Sequence, residues 1–146
     1  LIDLDEVSEN LPGWIRQHLT DYITTGGEKG HIWRGVPTLL LRTIGWKSGR
    51  PSLLPLIYGR HGDDYLLVAS KGGHPQHPAW YVNLCHHADV HVQVGADKFA
   101  AGAHTAEDSE RPALWAIMRA IWPQYDDYQA ATERRIPVVV LTRKER

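Results

Sequence analysis

The chain has 146 residues, 42% of them apolar and 23% charged, with a formal net charge of −1. That length suits one domain with a core of its own, and the balanced charge excludes a partner held by bulk electrostatics, nucleic acid above all. A single cysteine, Cys85, excludes an intrachain disulfide and fits a reducing cytosol.

Ile15, Leu19, Tyr22 and Ile23 fall at i, i+4, i+7 and i+8, which predicts an amphipathic N-terminal helix within 1–27. Ser8 or Asn10 is its candidate cap, and Gly26-Gly27 stops it. After a glycine-rich loop, apolar runs at 38–43 and 53–58 read as a strand pair. His61-Gly62-Asp63-Asp64 is a hairpin turn into a third strand at 65–69. A loop at 70–78 holds prolines and glycines, and Pro78 opens a short helix at 79–87. Val90, Val92 and Val94 alternate with His91 and Gln93 in a half-buried strand at 89–94, and a partner follows at 98–105. Glu107-Asp108-Ser109-Glu110 sets caps and negative charge before a helix at 111–121. Its stripe is Leu114, Ile117, Met118 and Ile121, and Pro123 ends it. A strand at 136–142 closes the chain. About six strands, mostly hairpin-connected, and three helices show no βαβ alternation. The fold class is therefore α+β, mainly β, closed as a small barrel or curled sheet. No apolar run reaches the roughly 18–20 residues of a membrane span. No integral membrane segment is expected; a peripheral membrane contact stays open, and the location expected is cytoplasmic.

Two glycine turns carry the chemistry. Gly45-Trp46-Lys47-Ser48-Gly49-Arg50-Pro51 lies between the first two strands. It crowds a hydroxyl and two cations where backbone N–H groups can face an anion. Ser70-Lys71-Gly72-Gly73 repeats the theme after the third strand. Each alone is more often a solvated hairpin; two in one small domain point to a phosphorylated cofactor. Trp80 and Asn83 share one helical face. Trp122, Tyr125 and Tyr128 are also spaced by three, as pocket wall or core stripe, and Asp126-Asp127 argues against deep burial. Six Trp against one Phe suggests that some indoles line a site. Cys85 reads as a buried small hydrophobe. His74 with His77, and His86 with His87, lack the spacing of a ligand set, so no metal is expected.

The motifs recur together and in order. Thr43-Ile44-Gly45-Trp46-Lys47-Ser48-Gly49 is followed by Pro55-Leu56, then Val68-Ala69-Ser70-Lys71-Gly72-Gly73. Pro78-Ala79-Trp80-Tyr81-Val82-Asn83-Leu84, Tyr125-Asp126-Asp127-Tyr128 and Ile136-Pro137-Val138-Val139 come next. In these residues the chain resembles the deazaflavin-dependent nitroreductases of actinobacteria. The resemblance implies a split β-barrel like that of the oxidases that bind flavin mononucleotide. It implies coenzyme F420, an 8-hydroxy-5-deazaflavin, and a reductase that passes a hydride to a small electron-poor acceptor: a quinone, an unsaturated lactone or ester, or a nitro compound. By the same resemblance Trp46, Lys47, Ser48, Gly49, Arg50 and Lys71 would serve the phosphate. Pro55, Leu56, Ala69, Ser70 and Gly72 would border the ring, with Trp80 and Asn83 supporting that side. Tyr125 and Tyr128 would line the acceptor side with Trp122, and the proton that follows the hydride would come from a Tyr or Ser hydroxyl, Tyr128 or Ser70 first, or from an ordered water. Trp122 stands where relatives often carry a third tyrosine. A flavin mononucleotide enzyme of the same fold, or a deazaflavin or haem carrier without turnover, remains the alternative.

Overall fold

The computed structural model describes residues 2–144. Leu1, Glu145 and Arg146, the ends of the expected 1–146 domain, lie outside the described residues. The strands are β1 (Ile32–Trp33), β2 (Val36–Ile44), β3 (Pro51–Ile57), β4 (Gly59–His61), β5 (Asp64–Val68), β6 (Asp89–Val94), β7 (Asp97–Thr105) and β8 (Val138–Arg143). The α-helices are α1 (Gly13–Thr25), α2 (Ala79–His86), α3 (Arg111–Ile121) and α4 (Gln124–Ala130). The strand order is β1-β2-β6-β7-β8-β5-β4, with β3 on β2, and all the pairings are antiparallel. The sheet curls into the half-open barrel expected of the sequence. No helix among the described residues is long and apolar enough to cross a membrane.

Alternation along each strand sorts the core into layers. Leu39 and Leu41 of β2, Leu67 of β5 and Val139 and Leu141 of β8 point into the barrel. Their neighbours point outwards and are covered by helices. Leu40 packs under Leu19 and Tyr22 of α1, while Leu66, Val68, Val138 and Val140 pack under Leu114 and Met118 of α3 and Tyr125 of α4. Both faces of these strands are buried, which is why they read as near-continuous apolar runs. Tyr22 fastens α1: its hydroxyl donates to Thr38 O at 2.9 Å and accepts from Gly95 N at 2.8 Å. Burial pushes its phenol up to about 12. Gly26, with φ +60°, ends α1 in the left-handed cap that its residue type allows.

Several expectations are corrected. The described residues form eight strands, not six, because β1 and β4 span two and three residues, too few for a period to show. A fourth helix follows α3 at once, since Pro123 both stops α3 and leads α4. Pro12, not Ser8 or Asn10, occupies the cap position of α1. Cys85 is exposed. The short α2 packs through Trp80, Asn83 and Leu84, which leaves Cys85 on the outer face.

Candidate functional site

A cleft of about 400 Å³ lies at one end of β3, bounded by α1, α2, α4 and the loop after β5. Small-ligand pockets start near this size, roughly 300 Å³. One part of its wall is Pro55 and Leu56 of β3, Ser70, Lys71 and Gly72 of the loop, and Trp80 of α2. Another is Trp122, Tyr125 and Tyr128. The structure therefore brings together residues predicted from four separate motifs.

The loop at 70–73 has an unusual backbone. Lys71, Gly72 and Gly73 have φ of +44°, +60° and +83°. A left-handed lysine costs about 1–2 kcal/mol and persists only where its surroundings hold it. Two contacts do so. A Cβ on Gly73 would lie 2.8 Å from the carbonyl oxygen of Tyr128, so only glycine lets α4 settle on the loop. From the other side, the Arg134 guanidinium donates to the carbonyls of Ala69, Ser70 and His74 at 3.2, 2.8 and 2.7 Å. It also donates to His77 Nδ1 at 3.1 Å. Partial desolvation, together with the Arg134 charge, holds His77 below the usual histidine range. Nothing in the local sequence marks Arg134.

The aromatic segment is helical, and this corrects its expected exposure. Tyr125 is only 5% exposed and belongs to the core under α3. The helical turn directs Asp126 away, where it accepts from Trp115 Nε1 at 2.7 Å and pairs with Arg119 at 3.2 Å. Burial pushes the Tyr125 phenol far up, so it stays neutral. Trp122 Nε1 donates to the Tyr128 hydroxyl oxygen at 3.4 Å, which leaves the Tyr128 O–H proton free to donate.

The turn at 45–50 does not line the cleft. It sits at the far end of the β2–β3 hairpin, and Pro51 lies four steps along β3 from Pro55, about 13 Å of strand. Much of its hydrogen bonding is internal. Gly45 N donates to Arg50 O, Gly49 N to Gly45 O, and Arg50 N to Ser48 Oγ. The amides of Lys47 and Ser48 have no partner among the described residues. Lys47 Nζ lies 4.8 Å over the ring of Trp46, which stacks on His86 at 4.9 Å. Asn83 is buried and binds the turn from α2, accepting from Trp46 N and donating to Thr43 Oγ1, both at 3.1 Å. Ala69 is fully buried and does not line the cleft; its N–H donates to Pro137 O and its carbonyl accepts from Arg134.

Sequence reasoning missed the wall formed by Trp14, His18 and Trp33. Trp14 stacks on Trp33 at 6.2 Å, and Trp33 meets Trp122 at 5.9 Å, so three indoles from distant segments form one aromatic face. The excess of Trp was the signal, but not which ones. His18 Nε2 donates to Gly30 O at 2.7 Å, and its buried Nδ1 is unpartnered among the described residues.

The sequence model of the family described as F420H(2)-dependent quinone reductase matches residues 14–143. An F420H(2)-dependent quinone reductase of Mycobacterium tuberculosis is 43% identical over 134 residues, covering 89% of this chain and 90% of that one. Among solved structures, an F420-H2 dependent reductase superposes with a TM-score of 0.68 at 37% identity, covering 76% of this chain and 97% of its own. A chain described as a domain-swapped dimer gives 0.71 at 35%, covering 86% and 92%. The heme storage protein HutZ of Vibrio cholerae gives 0.59 at 19%, covering 75% and 82%, a likeness of fold alone.

Proposed function

The chain belongs to the F420H2-dependent quinone reductase family, whose reductant is F420H2, and from that premise we propose that it reduces a small electron-poor acceptor, a quinone, at the cleft on β3. The observation that carries the proposal is one cleft with an apolar floor, a cationic glycine turn on its edge and a phenolic hydroxyl free to donate.

The residues present fit the coenzyme. Pro55, Leu56 and Trp80 offer flat apolar surface for a ring system, and Ser70, Lys71 and Gly72 border it. Lys47 and Arg50, with the two unpartnered amides at Lys47 and Ser48, offer anion donors beyond the cleft, suited to a phosphate on an extended arm. Trp46, Gly49 and Asn83 shape that turn, and Ala69 anchors the loop.

When bound, the reduced deazaflavin supplies the hydride, so the protein needs no redox side chain. The chain's own residues have other tasks. The indoles of Trp14, Trp33 and Trp122 give a flat acceptor a surface to stack on. As negative charge develops on an acceptor oxygen, the Tyr128 hydroxyl can stabilise it and pass a proton. The Ser70 hydroxyl, with no partner among the described residues, is a second donor. Trp122 offers one N–H, already directed at Tyr128, where a tyrosine would offer a hydroxyl. That favours quinones over acceptors with greater need of hydrogen-bond donors.

A side-by-side titration tests the proposal. The protein should bind F420 at least about tenfold more tightly than flavin mononucleotide, a gap of about 1.4 kcal/mol. It should then oxidise F420H2 with a quinone faster than with an unsaturated lactone or a nitro compound. Equal or reversed affinities overturn the coenzyme assignment. Tight binding without turnover makes the protein a carrier.

A further inference from the structure

Arg134 stands just beyond α4 and has no carboxylate partner among the described residues. Its guanidinium donates instead to four acceptors in one stretch: the carbonyls of Ala69, Ser70 and His74, and His77 Nδ1. The whole loop between β5 and α2 is thus gathered around one cation. The segment that presents Arg134 is itself held. Gln129 of α4 donates through Nε2 to Arg134 O at 2.8 Å, and its Oε1 accepts from Ile136 N at 2.9 Å and from Arg111 Nη2 at 3.1 Å. On the other side of the same loop, Gly73 lies against the backbone of Tyr128.

From this geometry we infer that Arg134 is a positioning residue that locks the loop carrying Ser70 and Lys71 to the helix carrying Tyr125 and Tyr128. The inference rests on the functional reading above, which puts the coenzyme on the first and the acceptor on the second. Two walls built by separate segments must keep a fixed spacing for a hydride to pass between ligands held on them. Arg134 keeps that spacing by bonding backbone carbonyls, which fixes the course of the loop while its side chains stay free for ligand. A planar fork with five N–H donors can reach several carbonyls at once; an ammonium group is a single point and cannot. This also explains how Lys71 is held left-handed without a glycine's freedom.

The test compares wild type with Arg134→Ala and Arg134→Lys. Three measurements are made: F420 affinity by titration, steady-state kinetics with a quinone, and amide hydrogen exchange of residues 69–77 without coenzyme. Arg134→Ala should bind F420 about tenfold more weakly and raise the quinone KM severalfold, with faster exchange in the loop. Arg134→Lys should fall between. Guanidinium chloride at millimolar concentration should restore part of the F420 affinity of Arg134→Ala, while potassium chloride at equal ionic strength should not. If Arg134→Ala does not fold, Arg134→Lys carries the test through loop exchange and affinity. F420 affinity and quinone KM both within about twofold of wild type overturn the inference. So does faster exchange with no change in either constant, which leaves Arg134 a structural residue only. A wild type that fails to bind F420 overturns the functional reading instead, and the exchange data then judge the lock alone.

Discussion

Tyr128 is held by Trp122 on one side of its hydroxyl, with the O–H proton left over. Tyr128→Phe should leave F420 affinity unchanged and lower kcat with a quinone by about 100-fold, the lower end of general-acid effects. A raised KM at constant kcat would make Tyr128 an orienting group. Loss of F420 affinity would move it to the coenzyme side. His77 offers a test of a different kind. Its pKa is held below the ordinary 6.5 by partial desolvation and by Arg134. A histidine lowered by folding stabilises the fold while neutral. That contribution is complete above the unfolded value and is lost as pH falls through the folded one. The melting temperature should therefore drop from about pH 6.5 downwards, and His77→Gln, which keeps an acceptor for Arg134 but does not titrate, should shallow that drop. His91 is also lowered, first by burial, and titrates in the same window, so the flattening is partial. An unchanged slope between pH 7 and 5 would show that His77 is not linked to stability.

At the scale of elements, the β2–β3 hairpin turn and the loop after β5 looked alike in sequence, but the fold uses them differently. The loop lines the cleft, while the turn at 45–50 stands a strand's length away, tied to α2 by Asn83. An anion bound there would meet Lys47 and two free amides without touching the barrel core. Lys47→Ala should weaken F420 binding by about one order of magnitude, the loss of a charge-assisted bond, with little change in melting temperature. Unchanged affinity would reduce the turn to a solvated hairpin. The helices show why some elements were legible and others not. α1 announced itself by a stripe that Leu19 and Tyr22 bury on Leu40. In α4 the seven residues hold two aspartates, and only their directions, towards Trp115 and solvent, let Tyr125 sink.

For the whole molecule, the cleft joins α1, β3, the loop after β5, α2 and α4, so a ligand filling it braces parts of the chain that are far apart in sequence. F420 at about 100 times its dissociation constant should add about 2.7 kcal/mol to stability. That raises the melting temperature by several degrees, at about 2–4 °C per kcal/mol for a chain of this size. Flavin mononucleotide at the same concentration, about ten times its own dissociation constant or less, should add at most about 1.4 kcal/mol, about half that rise. An equal rise with both would remove the basis for choosing the deazaflavin.

Most of the strands, three of the four helices and both glycine turns were determined by the sequence itself. Alternation, helical periodicity and glycine or proline stops are written within a few neighbouring residues, and neighbouring residues share a local backbone. The glycine turns pointed to a phosphorylated cofactor, and the deazaflavin itself came through the family resemblance that the ordered motifs carry. Tertiary structure alone decided which turn borders the cleft, that Trp33 completes a face begun by Trp14 and Trp122, and that Tyr125 is core. It alone put Arg134 against Ser70, 64 residues away. Such contacts depend on how the barrel folds distant segments together, and no local pattern marks an arginine whose partners are backbone carbonyls, a group that every residue carries.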